Sequence, residues 1–460
     1  MIEIRKNNVV LIFTYCIFTI IINVYIINGI TNFTDVKTKL SCIIILLFTI
    51  QTILYLSISK EINFSMIFIW CCYLFWLSQN ILLFLNFDFG NKITYVAYFN
   101  YGYNAYVQAI KYSTIAVSIV FVGVLFGTQV NVVNHVVNQF EKVIPTKQYV
   151  YPLLIISLIL DLIQTAIRIT INLTSGYEEA HGAGNFINIF QTFTQFFPVA
   201  VYLALVIYKE DKKKAKKIYY LFIIYELIKM FGGARAYSVL GIIVITVLYY
   251  HVVEKLNIKK FLLISFGGFV LLNVLIVIRN GRYFGTYSWE FNGVYFLATG
   301  TMKEFGGTIN VISKGFRDFR ETANGMVTIS SILSIIPGWT YIFGDDLINK
   351  YYTYFAFDFE PLGSAFPIEY YFDFGYTGGL IACFFQGIIV GMLDKRIFQN
   401  IRTGRYAQNS FLIFLIIELI YTVRSYPFRI PRYIFYFILV YKFYDIIFTN
   451  HKRRKYIEIV

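Results

Sequence analysis

The chain has 460 residues, of which 58% are hydrophobic, 20% aromatic and only 14% charged, with a mean hydropathy of +0.62. A soluble protein carries about a quarter charged residues, so a soluble globular domain is excluded. The net charge of +14 is parcelled out between apolar runs rather than gathered on one face, which sets nucleic acid aside as a partner. Runs of about twenty apolar residues recur, each long enough to cross about 30 Å of hydrocarbon. They predict an all-α, polytopic integral membrane protein, one domain over residues 1–460 with about twelve transmembrane helices. In chain order the spans read 9–30, 38–58, 64–86, 109–133, 149–171, 186–208, 218–233, 237–253, 261–279, 367–391, 408–423 and 433–449.

The first run is long and lacks a small-residue cleavage site, so it reads as an anchor rather than a removed signal peptide. Arg5 and Lys6, Lys142 and Lys147, the run KEDKKKAKK (209–217), EKLNIKK (254–260), DKRIFQNIRTGR (394–405) and the tail HKRRK then fall on one side. The positive-inside rule makes that side the cytoplasm, with both termini inside and the protein in the cell (inner) membrane, in contact with its lipids. Cys16, Cys42, Cys71, Cys72 and Cys383 lie in or beside apolar spans. They form neither a disulfide framework nor a zinc spacing, and read as packing residues.

On the outer side most connections are short, but residues 280–366, between the ninth and tenth spans, form one large external loop. Ordered loops of this size usually carry function. An amphipathic stretch near 301–315 and the apolar VTISSILSIIPGW (327–339) predict short helices at the interface. Arginines collect on the same side: Arg235 in the hairpin tip GGAR, Arg279 and Arg282 in RNGRYFG, Arg317 and Arg320 in FRDFR, and Arg424, Arg429 and Arg432 in RSYPFRIPR. Each alone would suit headgroup snorkelling or an internal ion pair. Clustered at span ends, they point to an anion site, because a guanidinium binds phosphate bidentately and keeps its charge. Gly232 and Gly233 would let the backbone approach a ligand.

The stretch EPLGSAFPIEYYFDFGYTGG (360–379) leads a span with two acidic side chains in its first turns. Glu369 and Asp373 are four residues apart and share a helical face. Acidic groups there suit the helix dipole; at a membrane rim beside aromatic rings they also suit sugar hydroxyls or a general base. Gly375, Gly378 and Gly379 read as a close-packing surface.

Ser364, Glu369, FDFG (372–375) and the Gly-rich span that follows resemble the pattern of Wzy-type O-antigen and capsular polysaccharide polymerases. The GGARAYS hairpin, MKEFGGT (302–308) and the large loop add to the resemblance, over residues 220–430. It implies a GT-C-like membrane glycosyltransferase; no Asp-x-Asp metal motif lies on the outer face and GDD (344–346) reads as a loop, so neither metal nor cofactor is expected. Such an enzyme joins polyprenyl-diphosphate-linked oligosaccharide repeat units on the outer face, with a flippase and a chain-length regulator as partners. Arg235 and Arg279 would stabilise the departing diphosphate, with Arg282, Arg424 and Arg429 in support. Glu369 and Glu304 are candidate bases, with His181 a third. Ser364, Asp373, Gly232 and Gly233 would line the substrate site. A lipid-linked oligosaccharide flippase or other transporter is the alternative, supported by Lys111, Asp161, Arg168, Lys229 and Glu418 in or near spans; an O-antigen ligase is another.

Overall fold

The computed structural model describes residues 6–22, 27, 29–86, 97–129, 145–174, 195–230, 235–255, 305–318, 321–336 and 364–457, with isolated positions between 267 and 338. Every regular element among them is a helix. In chain order these are α1 (Lys6–Ile21), α2 (Phe33–Ser59), α3 (Phe64–Phe84), α4 (Ala97–Tyr101), α5 (Tyr103–Gln129), α6 (Lys147–Thr174), α7 (Phe196–Ile207), α8 (Lys212–Met230) and α9 (Arg235–Val252). There follow α10 (Ile309–Asp318), α11 (Met326–Leu333), α12 (Phe366–Thr403), α13 (Tyr406–Arg424) and α14 (Ile430–Ile457). Six of them, α2, α3, α5, α6, α12 and α13, are long and apolar enough to cross a membrane; stretches of α1, α7 and α9 are equally apolar but shorter. All but residues 267, 268, 270 and 274 of the expected span 261–279, and residues 186–194 of the sixth, lie outside the described residues.

Boundaries depart from the hydropathy reading where polar residues continue a helix that hydropathy would end. α5 begins at Tyr103 rather than 109, and the lysine run forms the first turns of α8. α12 continues through DKRIFQNIRT and stops only at Gly404, whose φ of 78° supplies a left-handed cap. Lysine and arginine are good helix formers, so charge moves the chain out of hydrocarbon without ending the helix. α10 and α11 overlap the two stretches expected to form short helices, α10 running three residues past 315 and starting well after 301. α10 packs into the bundle through Ile309, Val311 and Ile312, all buried.

α5 and α12 form the tightest pair. Gly123 and Gly127 on α5 face Gly387 and Gly391 on α12, so each helix carries a Gly-x-x-x-Gly step. A Cβ on Gly123 would strike the Phe384 carbonyl, and one on Gly387 the Val120 carbonyl. Small residues allow such backbone approach where lipid gives helices no hydrophobic reason to associate. Of the glycines expected to pack closely, only Gly379 meets another helix, against the Tyr112 hydroxyl on α5. Gly375 serves a different purpose. Its φ of 73° and ψ of −174° break α12 just after Asp373, a conformation open mainly to glycine.

Large apolar side chains stay exposed along α6 (Ile155, Ile159, Leu162, Ile163), α12 (Ile381, Phe385, Ile389) and α14 (Leu439, Phe443, Ile446). Contiguous apolar surface of this kind fits acyl chains rather than water.

Several charges within the helices find polar partners inside the bundle, though Arg168 Nε has none among the described residues. Lys229 of α8 bonds Asp161 of α6 at 2.9 Å, and Tyr225 donates to the same carboxylate at 2.7 Å. Lys111 donates to the Ile30 carbonyl at 2.9 Å. Asp394, 1% exposed, accepts from Phe64 N at 2.9 Å and Tyr55 at 3.2 Å, closing the N-terminus of α3.

Contacts sort the connections into two groups. At one end Arg402 pairs with Glu61 at 2.9 Å, His251 bonds the Ile62 carbonyl, and Lys209 lies over Tyr406. At the other, Lys37 reaches Asn86, Asn100 reaches Asn310, and Ser331 bonds the Phe428 carbonyl. The first group holds segments read as cytoplasmic and the second those read as external.

Candidate functional site

α12 starts sharply. Ala365 is extended, Pro367 occupies the first turn where no amide donor is needed, and Phe366 is fully buried against Phe68 and Trp76. This anchorage fixes Glu369, which is also fully buried. The Ser364 hydroxyl donates to Glu369 Oε1. Oε2 has no hydrogen-bond partner among the described residues. A buried carboxylate oxygen left unmatched is costly in a structural role and fits one that takes its partner from a substrate.

Asp373 shares that buried face, as expected, but its carboxylate is already engaged. Oδ1 accepts from Val327 N at 3.0 Å; Oδ2 accepts from Thr328 N at 3.0 Å and the Thr328 hydroxyl at 2.6 Å. Asp373 therefore caps α11 rather than stabilising its own helix. The break at Gly375 releases the Phe372 and Asp373 carbonyls, which accept from Ala323 N at 2.8 Å and Gly325 N at 3.0 Å. These bonds fasten the segment ahead of α11 to the start of α12. They leave Asp373 little capacity as the substrate ligand expected from sequence.

Arg429 lies close enough to Glu369 for their charges to interact. Its Nη2 pairs with Glu418 Oε2 at 3.3 Å and donates to the Tyr237 hydroxyl at 2.8 Å. The guanidinium lies over Tyr421 at 4.2 Å, with Tyr237 and Tyr433 each 5.4 Å away. Gln195 supplies Glu418 Oε1 with a bond of 3.0 Å. Arg429 Nε has no partner among the described residues. A second chain of bonds runs from Tyr370 to Gln386 at 2.6 Å and from Gln386 to Thr422 at 2.7 Å. It ties the turn after Glu369 to the turn that carries Arg424. Trp76 donates to the Val423 carbonyl at 2.9 Å, holding that turn from the other side. Arg424 is half-buried over Phe75 at 6.0 Å, with no hydrogen bond or ion pair to any described residue.

Ser364, Glu369, Asp373, Arg424 and Arg429 thus converge at one end of the bundle. Arg235 is the first residue of α9, and Tyr237, two residues on, enters the Glu418–Arg429 cluster; the Arg235 side chain is outside the described residues. So are Gly232, Gly233, Arg279, Arg282, Glu304, Arg320 and His181. Glu304 is flanked by anchored residues: Ser78 donates to the Met302 carbonyl at 2.9 Å, and Phe305 packs on Phe75 at 5.0 Å. Arg317 departs from the anion-site expectation, since Asp318 pairs with it bidentately at 2.6 and 3.0 Å.

Sequence reasoning missed Tyr237, Gln195, Tyr370 and Gln386 as part of the site. Glu418 stood out only as a charge inside a span and was counted toward a transporter. The structure pairs it with Arg429 instead, and an acidic residue eleven positions before that arginine was the available signal.

The profile of the family described as O-antigen polysaccharide polymerase Wzy matches residues 8–451, well beyond the stretch that carries the motifs. No curated protein and no solved structure matches the chain. With a match over nearly its whole length, the chain belongs to the Wzy family of O-antigen polysaccharide polymerases, membrane enzymes that act on lipid-linked oligosaccharide repeat units.

Proposed function

We propose that coupling takes place around Glu369, with this residue as general base. A hydroxyl of the acceptor repeat unit attacks the anomeric carbon of the donor glycan. The C–O bond to the lipid diphosphate breaks with its electron pair on the diphosphate, and the acceptor proton passes to Glu369 Oε2. The observation that carries this reading is the buried carboxylate held by Ser364, with Oε2 unmatched among the described residues. General base catalysis of this kind contributes about 10²–10⁴-fold in rate.

The diphosphate leaves with concentrated charge, and Arg424, Arg429 and Arg235 supply fixed cations for it, with Arg279 at the end of the ninth expected span and Arg282 in the long external segment. Fixed guanidinium charge would answer the need for electrophilic help without a metal, and the family resemblance adds a glycosyltransferase of GT-C type to this reading. About twelve spans, cytoplasmic termini in the inner membrane and an outer-face site complete the reading, with a flippase supplying repeat units and a chain-length regulator acting on the product. Charges paired within the bundle, as in Asp161–Lys229, give no support to a transport pathway.

The test is the glycan ladder from cells carrying Glu369→Gln. The substitution keeps shape and hydrogen-bonding reach and removes the basicity. Single repeat units on the final acceptor, with long chains lost and protein level unchanged, are expected. A normal ladder removes Glu369 from the chemistry.

A further inference from the structure

Beside the Glu369 region, between the start of α5 and the end of α10, lies an open cleft of about 460 Å³. Tyr101, Tyr103, Asn104, Gln108, Phe316 and Arg317 line it. Gly102, at φ 86°, makes the break between α4 and α5, and a Cβ built on it would meet nothing within 4 Å. The backbone there faces open space.

The lining has a consistent chemistry. Tyr101, Tyr103 and Phe316 offer aromatic surface, and Tyr103 is stiffened by stacking on Tyr98 at 5.4 Å and 13°. Asn104 and Gln108 are exposed and make no hydrogen bond within the described residues. Their amides each present both donors and acceptors. Arg317 is held over Tyr101 at 5.0 Å and is neutralised by Asp318. A phosphate would have to displace that carboxylate, whereas a neutral hydroxyl can share it. Aromatic faces for apolar C–H surfaces, unengaged amides and a neutralised ion pair are together matched to a pyranose, which has an apolar face and a hydroxyl rim. The volume falls within the range of about 300–1,000 Å³ usual for ligand sites.

The cleft also connects to the coupling site. Phe316, its wall, packs on Tyr371 at 4.7 Å, two residues after Glu369. Tyr112 touches both rings and donates to the Pro367 carbonyl at 3.3 Å.

We propose that this cleft is a glycan-binding subsite that grips an uncharged segment of the chain being extended, a few sugars from the reacting end. The assignment rests on the polymerase reading but not on the role of Glu369. Holding the chain between couplings would lengthen the product without altering the chemical step.

The experiment uses the full-length protein in a sugar-free detergent and the polymer's own oligosaccharide, one, two and four repeat units long, released from lipid. Affinity is measured by calorimetry for wild type, Tyr103→Ala, Gln108→Trp and Glu369→Gln, with thermal unfolding as the folding check. Tyr103→Ala should weaken binding about tenfold through the lost ring contact. Gln108→Trp, which fills the cleft, should abolish binding, and Glu369→Gln should bind as wild type. In cells the two cleft variants should shorten the ladder while still joining first units. Unchanged affinity in both folded cleft variants overturns the subsite. A normal Glu369→Gln ladder instead overturns the catalytic role and leaves the subsite standing.

Discussion

At the residue scale, the Glu418–Arg429 pair invites the question whether Arg429 serves structure or chemistry. Glu418 is 1% exposed, and removing one partner of a buried pair costs about 3–5 kcal/mol because the other charge is stranded. Glu418→Ala should therefore lower the unfolding temperature markedly. Adding Arg429→Met to it replaces the stranded charge with an apolar chain among Tyr237, Tyr421 and Tyr433, and should recover most of the loss. Thermal unfolding checks the first half; the glycan ladder checks the second. If Arg429 contacts the diphosphate, the stable double variant still makes no long chains. Long chains returning with stability would reduce Arg429 to a structural partner. Asp373 shows how far a residue's role can be read from position. Its place in the first turns of a span was legible, but its service to α11 was not, because Val327 and Thr328 lie more than forty residues away in the chain.

At the element scale, α12 organises the protein. It carries Glu369, caps α11 through Asp373, caps α3 through Asp394, and presses against α5 through glycine. Gly387→Val should be the more disruptive of two glycine changes, since its side chain would meet the Val120 backbone, which cannot rotate away. Overpacking of a core costs about 1–3 kcal/mol and more where backbone is struck. Gly241→Ala is the comparison. Its nearest neighbour would be the Phe222 ring at 3.6 Å, an ordinary contact. Folded yield and unfolding temperature should fall for Gly387→Val and stay near wild type for Gly241→Ala; equal behaviour would mean that α5 and α12 do not meet so closely. Hydropathy located both helices, although it ended α12 twelve residues early. It could not locate their partnership, which depends on glycines that look unremarkable in isolation.

At the scale of the whole molecule, the two sets of end-to-end contacts make a topological prediction. Cys71, Cys72 and Cys383 are buried, so replacing Cys16 and Cys42 by serine leaves a background poorly reactive to an impermeant thiol reagent. In that background Glu321→Cys should label from outside intact cells, and Lys213→Cys only after the membrane is opened. Labelling of Glu321→Cys from the cytoplasmic side alone would reverse the face on which coupling takes place.

The sequence alone determined that this chain is a helical membrane protein, where six of its membrane-length helices run, and which family its motifs resemble. Each rests on information local in the chain: twenty apolar residues make a span wherever they occur, and a short motif is carried by its own spacing. Tertiary structure decided what the polar residues do. Glu418 in a span is a pathway charge or half of an ion pair according to whether an arginine faces it. Asp373 and Glu369, alike in type and four residues apart, part company because one meets the amides of α11 and the other meets Ser364, with its second oxygen unpartnered among the described residues. In a bundle surrounded by hydrocarbon a polar group must find its partner inside the protein. Those partners come from distant segments, through packing that no local pattern records.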